Sequence, residues 1–178
     1  MILWIDRVLQ KCIRIYRKAV FRKKIHCPHK QFSLVGNVIA INPNVTIGKN
    51  VVIYPDVMFF GDGPITIGDN VSIGNGTIFG SLSKEGITVG DNTMIAAQCY
   101  LIDCDHGMAL GTPMCQQKQN TSPISLGNDV WLAANVTVLK GSHIADGAVI
   151  GAKGLVKGDI PPNSIAVGVP AKVIKERK

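Results

Sequence analysis

Residues 45–79 read VTIGKNVVIYPDVMFFGDGPITIGDNVSIGNGTIF, and this stretch decides the fold. A large apolar residue returns at about every sixth position, and a small residue usually follows it. A period of about six fits neither a helix, which repeats every 3.6 residues, nor the two-residue alternation of a plain strand. It predicts short strands joined by tight corners, with the large residue filling an interior and the small residue allowing the bend.

The same period continues through most of the chain. The large apolar positions are Val35, Ile41, Ile47, Ile53, Phe59, Ile67, Ile73, Phe79, Val89, Ile95, Leu101, Leu126, Leu132, Val138, Ile144, Ile150 and Val156. Three hexapeptides make one triangular coil of about eighteen residues, and such coils stack at the strand spacing of roughly 4.8 Å. The sequence therefore predicts an all-β fold, a parallel β-helix shaped as a triangular prism.

Three interruptions of the period are expected to build a functional face. Beyond the regular spacing, two extra residues lie within 59–67, four within 79–89 and nineteen within 101–126. Each interruption follows a run of three hexapeptides, which is one full coil. All three interruptions should therefore leave the prism at the same corner. Because long loops on a repeat scaffold usually carry binding or catalysis, we expect the chemistry at that corner.

The positive charge of the chain is concentrated at its amino-terminal end. Residues 1–30 hold nine of the nineteen Lys and Arg residues but one of the twelve acidic residues, so the remainder is nearly neutral. This distribution does not support nucleic-acid binding by the whole protein. Residues 1–25 are predicted to form an amphipathic helix, which either caps the first coil or contacts an anionic membrane surface. Its apolar stripe consists of Ile5, Val8, Leu9, Cys12, Ile13, Tyr16 and Val20.

The sequence is predicted to divide into three parts. They are a basic helical arm at 1–30, a β-helix at 31–165 with a loop insertion at about 107–123, and a short basic tail at 166–178.

Five cysteines without a CxxC pair indicate neither a disulfide framework nor a zinc cage, which favours the cytoplasm. The first uncharged apolar run is five residues long, too short for a membrane span or a signal peptide.

The repeat and its ending resemble the left-handed β-helix hexapeptide acyltransferases over nearly all of residues 35–178. The likeness points to the branch of sugar and polysaccharide O-acetyltransferases that includes the galactoside and maltose enzymes. It is carried by DCDHG at 103–107, ISLGNDVW at 124–131, DIPPN at 159–163 and GVPAK at 168–172. The resemblance implies a homotrimer, acetyl-CoA bound in the groove between neighbouring prisms, a loop histidine as base, and no metal.

His106 is the residue that the resemblance assigns as general base. It lies in an outward position at the mouth of the longest insertion, and acetyl transfer to a hydroxyl needs a base that works near neutral pH. A solvated loop histidine is the structural alternative. Asp103 or Asp105 could hold the imidazole, and Asp105 falls on an inward position if the period continues into the loop. A backbone carbonyl could do so instead, leaving both as turn formers. Cys104 has no expected role.

Other residues match positions at which the family binds its substrates. Asn75 and Trp131 match acceptor-binding positions, with a corner residue and packing under the loop as their structural alternatives. Two small residues would let the backbone approach the pantetheine, and three lysines would meet phosphates unless they are simply solvated. These cofactor candidates are Ala134, Ala152, Lys157, Lys172 and Lys175.

The sequence thus predicts an acetyl-CoA-dependent O-acetyltransferase that acts on a sugar or surface polysaccharide by direct transfer in a ternary complex. The alternatives are an N-acetyltransferase or serine-type acetyltransferase of the same fold, a zinc carbonic anhydrase, and a solenoid without catalysis. The anhydrase needs a set of three histidines, and nothing in the sequence pairs with His106 in that way. We expect a cytoplasmic protein, with peripheral contact to the inner face of the membrane left open for the arm.

Overall fold

The computed structural model describes residues 2–28 and 31–178. These residues form one α-helix, α1 (Ile2–Lys24), a short 3-10 helix (Met114–Gln116), and three sheets of short strands that are parallel except for the last strand of sheet I. Sheet I contains, in spatial order, β1 (Phe32–Leu34), β4 (Val51–Ile53), β7 (Ser72–Ile73), β10 (Met94–Ile95), β15 (Trp131–Leu132), β18 (Val149–Ile150), β21 (Ser164–Gly168) and β22 (Ala171–Glu176). Sheet II contains β2 (Val38–Ala40), β5 (Val57–Gly61), β8 (Ile78–Ser81), β11 (Tyr100–Ile102), β16 (Thr137–Leu139) and β19 (Leu155–Val156). Sheet III contains β3 (Val45–Ile47), β6 (Ile65–Ile67), β9 (Ile87–Val89), β14 (Ile124–Leu126), β17 (His143–Ile144) and β20 (Asp159–Ile160).

Each coil adds one strand to every sheet and pairs in register with the next coil, which confirms the predicted β-helix. Phe59, for example, pairs with Phe79, and Ile67 pairs with Val89. Every predicted interior residue from Ile47 to Val156 is at most 3% exposed. The rings of Phe59 and Phe79 stack with centroids 5.1 Å apart, so the interior is packed rather than hollow.

The first coil departs from the predicted phase. Val35 and Ile41, predicted to lie inside, are 54% and 67% exposed. Leu34 and Ala40 take the interior places and pair with Ile53 and Phe59. Ala40 and Ile47 are seven positions apart rather than six, so counting back from Ile47 in sixes slips by one residue. A slip of one residue turns every side chain to the other face of a strand.

A ladder of asparagines stabilises the corner between sheets III and I. Asn50, Asn70 and Asn92 each adopt a positive φ of 56–58°, a conformation that asparagine tolerates better than most residues. Their side-chain amides also bond along the stack, from Asn50 to Asn70 at 3.1 Å and from Asn70 to Asn92 at 3.2 Å. The Asn residues therefore both permit the bend and join successive coils.

The helix α1 caps the open end of the first coil through only part of its predicted stripe: Ile13 and Val20 are half-buried and line a cavity with Leu34 of the first coil. Phe21 and Ile25 are 4% and 7% exposed, and the Phe21 ring lies 6.4 Å from the Phe59 ring in the core. The stripe residues Leu9 and Tyr16 are 54% and 70% exposed. The side chains of Ile5 and Val8 lie outside the described residues. No helix within residues 2–28 and 31–178 is long and apolar enough to cross a membrane.

The carboxy-terminal end folds back on the prism. β22 pairs antiparallel with β21 after a cis Val169–Pro170 bond, and it adds a last strand to sheet I. Two basic residues of the predicted tail, Lys172 and Lys175, therefore lie on a strand with a defined register. Lys172 is paired with Val167, and Lys175 with Ile165.

Replacing Phe21 with Ala tests the cap. We expect the free energy of unfolding to fall by about 3 kcal/mol, because a buried ring that covers the core is lost. Tyr16→Ala is the matched control in the same helix, and its effect should stay within about 0.5 kcal/mol because the ring is exposed. Urea denaturation followed by circular dichroism measures both. Equal effects of the two changes would show that α1 does not cap the core through Phe21.

Candidate active site

The three insertions leave the prism at one corner, as the sequence predicted. They follow β5, β8 and β11 in sheet II and precede β6, β9 and β14 in sheet III. We call this edge the loop corner. The third and longest insertion starts as a two-stranded hairpin, β12 (Cys104–Asp105) with β13 (Asn120–Thr121). The loop corner therefore presents three stacked loops on one edge of the prism.

His106 directly follows β12, and its side chain is exposed. The hairpin fixes the chain just before it, since Cys104 pairs with Thr121 and Asp105 with Asn120. Further out, the Gln117 side chain accepts a hydrogen bond from the Ala109 amide at 2.8 Å and donates to the Ala109 carbonyl at 2.8 Å. The imidazole is thus held at the base of a braced loop and remains open to solvent.

Asp103 is fully buried and anchors the base of this loop. Its carboxylate accepts hydrogen bonds from the Ser81 hydroxyl at 2.9 Å, the Leu82 amide at 2.7 Å, and the amide and hydroxyl of Ser83 at 3.1 and 2.7 Å. Its backbone carbonyl accepts from the Ser122 amide at 2.9 Å, on the returning side of the loop. Asp103 therefore ties the second insertion to both ends of the third.

The inward position expected for Asp105 is wrong. Asp105 is exposed and forms an ion pair with Lys140 at 3.6 Å, whereas Ile102 and Asp103 are both buried. Two consecutive buried residues break the alternation of the strand, because the coil begins to unwind into the loop there. In the described part of the chain neither carboxylate is hydrogen-bonded to His106, so the group that orients the imidazole stays a prediction.

Cys104, next to His106, and Cys99 in the core are poor nucleophiles. Burial raises the pKa of the Cys104 thiol, the negative charges of Asp103 and Asp105 raise it further, and Lys140 partly offsets this. Burial raises the pKa of Cys99 in the core to about 11. Since the thiolate is the reactive form, neither residue is suited to carry an acetyl group at neutral pH.

The second group of predicted residues lies on a different edge. Asn75, Ala134 and Ala152 occupy the same place in their coils, with Ala97 in the coil between Asn75 and Ala134, at the corner between sheets I and II, which we call the alanine corner. The Gln98 amide bonds to the Asn75 carbonyl and the Lys153 amide to the Ala134 carbonyl, each at 2.9 Å. Small side chains at this edge leave the backbone accessible, as a pantetheine chain would require.

Sequence reasoning missed Lys153, which is exposed beside Ala152 on the alanine corner. It adopts a φ of 60°, like Gln98 and Asn135 at the same place of the preceding coils. The recurrence of this corner position every coil was the signal that could have found it. Lys153 thus adds a cation to the edge where two predicted cofactor residues already lie.

The remaining candidates are distributed around the prism. Trp131 is 46% exposed on the outer face of sheet I, between Met94 and Val149. Lys172 lies near the alanine corner, because its pairing partner Val167 packs over Gly151. Lys157 instead follows β19 and lies at the loop corner, away from the predicted cofactor residues.

One protomer does not bring its two groups of site residues together. The loop corner and the alanine corner bound opposite edges of sheet II, about six extended residues or roughly 20 Å apart. The outer row of sheet II between them is mostly apolar: Ile39, Met58, Ile78, Tyr100, Thr137 and Leu155. The outer row of sheet III is polar throughout: Thr46, Thr66, Thr88, Ser125, His143 and Asp159. Sheet II is therefore better suited than sheet III to contact another protein surface.

Comparison with known proteins gives a consistent family. The galactoside O-acetyltransferase of Escherichia coli is 35% identical over 153 residues, which covers 83% of this chain and 68% of that protein. The chain belongs to the hexapeptide-repeat acetyltransferase family. Residues 64–102 match the family model for the hexapeptide repeat of succinyl-transferase. "Putative lipopolysaccharide biosynthesis O-acetyl transferase WbbJ" of Escherichia coli is 37% identical over 66% of this chain.

Two solved structures share the fold of this chain. A maltose O-acetyltransferase from Clostridium difficile superposes with a TM-score of 0.65 at 28% identity, over 91% of this chain and 75% of that one. AntD, an N-acyltransferase from Bacillus cereus in complex with dTDP and 3-hydroxybutyryl-CoA, gives 0.79 at 24% identity, over 90% and 88%. At 24% identity, the similarity to AntD shows a shared fold and no more than that.

Some relatives are longer than the part that matches. The alignment spans 63% of WbbJ and 39% of a "Probable acetyltransferase" of Mycobacterium tuberculosis, which is 38% identical over 66% of this chain. Within the residues described here, no group of three His, Cys, Asp or Glu side chains could hold a metal ion.

Replacing Asp103 with Asn tests its role as the anchor of the loop. The new side-chain NH2 group would face the backbone N–H groups of Leu82 or Ser83, which now donate to the carboxylate. We therefore expect the free energy of unfolding to fall by about 3 kcal/mol. Asp105→Asn is the matched control and should cost less than about 1 kcal/mol, as for an exposed ion pair. Thermal unfolding measures both changes. Equal stability of the two variants would contradict the anchoring role.

Proposed function

We propose that the protein transfers an acetyl group from acetyl-CoA to a hydroxyl of a sugar, in a surface polysaccharide or its precursor. The observation that carries this proposal is the placement of His106, exposed on a braced loop at the only edge of the described prism from which all three insertions leave. The names of the galactoside, maltose and lipopolysaccharide relatives support an O-linked sugar acceptor. The acyl-CoA bound in AntD supports a CoA thioester as donor.

The proposed mechanism needs a single proton-transfer residue. An imidazole nitrogen of His106 takes the proton of the acceptor hydroxyl while its oxygen bonds to the acetyl carbonyl carbon. The thioester C–S bond then breaks, and the proton passes from the imidazole to the leaving CoA thiolate. No covalent enzyme intermediate is required, in agreement with the raised pKa of Cys104.

We propose that the complete site forms between subunits of a homotrimer. The loop corner of one prism would face the alanine corner of its neighbour, and the apolar outer row of sheet II would be covered in the contact. Asn75 and Trp131 would then approach the acceptor, and Ala134 and Ala152 the pantetheine. Lys153 and Lys172 would meet the phosphates of CoA, whereas Lys157 and Lys175 lie farther from the alanine corner.

All five cysteines are free, which fits the reducing cytoplasm where we place the activity.

Removing the imidazole gives the most direct test of the activity. We expect His106→Ala to lower kcat by roughly 10²–10⁴, the usual contribution of a general base, with little change in acetyl-CoA affinity. The assay follows CoA release with galactoside, oligosaccharide and polysaccharide acceptors, with mass detection of the acetylated product. His143→Ala is the matched control, since that histidine lies on sheet III. Turnover of His106→Ala within a few-fold of wild type would remove it from the mechanism.

A shared site also predicts complementation between two inactive variants. We expect His106→Ala and Asn75→Ala each to be strongly impaired as pure proteins. In mixed trimers from an equal co-expression, about a quarter of the interfaces would carry both native residues and regain activity. The recovered turnover is compared with that of each variant alone. No recovery in mixed trimers would show that the two residues do not complete one intersubunit site.

A further inference from the structure

The helix α1 presents two different faces to its surroundings. Phe21 and Ile25 are buried against the first coil. A second face holds five exposed residues at helical spacing: Leu9, Cys12, Ile15, Tyr16 and Ala19. Phe21 lies two positions after Ala19, which is about 200° around the helix and so on the opposite side. We call the exposed set the outer helix face. Ile15 and Tyr16 border cavities against the first coil, but they keep 59% and 70% of their surface exposed, so the outer helix face remains open to another contact.

The outer helix face is strongly apolar for a surface that meets water. Leu9, Ile15 and Tyr16 are 54%, 59% and 70% exposed. Val35 and Ile41, at the same end of the prism, add two more large exposed side chains. The buried side chains of Phe21 and Ile25 anchor the helix on the first coil. The exposure of the outer helix face is therefore a fixed feature of the fold. Large apolar groups concentrated at one end of a protein mark an interaction surface.

The charges around this face identify the kind of partner. Lys11 precedes Ile15 by one helical turn, Lys23 follows Ala19 by one turn, and Arg22 lies between Lys23 and the buried Phe21. All three side chains are exposed. The excess positive charge of the chain is confined to residues 1–30, while the rest is nearly neutral. An apolar face bordered by cations matches the boundary between acyl chains and anionic headgroups of a bilayer.

We propose that the outer helix face docks the protein on an anionic lipid surface, with α1 lying in the plane of the interface. The apolar side chains enter the headgroup boundary, and the lysines and Arg22 pair with lipid phosphates. β11 is the fourth strand of sheet II from the capped end, so the loop that bears His106 begins roughly 15 Å along the prism from that end. A docked enzyme would meet glycans carried on lipids. That consequence rests on the proposed function, whereas the lipid contact does not.

Flotation of the full-length protein with vesicles tests the contact without any activity assay. We expect the protein to float with vesicles of phosphatidylglycerol and phosphatidylcholine at low salt, to float poorly with phosphatidylcholine alone, and to be released by salt. Lys11→Gln and Lys23→Gln should each weaken binding roughly fivefold. A full-length protein that stays with the buffer at low salt overturns the proposal.

A pair of matched variants separates the outer helix face from the charge of the helix. Tyr16→Glu and Gln10→Glu each add one negative charge at an exposed position of α1, but Gln10 lies off the face. We expect Tyr16→Glu to weaken vesicle binding at least about tenfold and Gln10→Glu no more than about threefold. Equal losses overturn the apolar contact. A changed oligomeric state of Tyr16→Glu by light scattering, with vesicle binding intact, overturns it too and assigns the face to a contact between copies.

Discussion

Register between parallel coils is the constraint on which the rest of the structure depends. Each coil must place its aliphatic residues directly above those of the coil before it, as Phe59 and Phe79 do, or the interior cannot pack. Extra residues therefore cannot be absorbed along a side of the prism and must leave at a corner. At the loop corner this happens in three successive coils, so the fold itself concentrates variable chain at one edge.

The same constraint separates the two halves of the site. A residue is assigned to a corner by its place in the coil, and every coil repeats that assignment. His106 follows a strand of sheet II, while Asn75, Ala134 and Ala152 precede strands of that sheet, so they remain a full side apart however long the loops become. A rigid prism cannot bend to close this distance. A neighbouring copy can, which is why the activity and the assembly are proposed together.

The sequence predicted the parts of the structure that repeat and failed where the repeat ends. From Ile47 to Val156 the period identified the interior residues correctly, because the same position of the hexapeptide recurs in every coil and is apolar each time. At the first coil, one extra residue before Ile47 reversed the faces of Val35 and Ile41. At the loop corner, Asp103 rather than Asp105 turned inward, because serines from a preceding insertion, distant in sequence, offer it hydrogen bonds.

Asp103 and α1 resolve similar conflicts at two places where the repeat is interrupted, the third insertion and the open first coil. A buried carboxylate is costly unless its hydrogen bonds are satisfied, and Ser81, Leu82 and Ser83 satisfy them, so the loop that bears His106 has a fixed base. An open first coil would expose Phe59, and Phe21 covers it. Covering the coil required few apolar residues of α1. The others, Leu9, Ile15 and Tyr16, remain more than half exposed, and their exposure is costly in water unless another surface covers them.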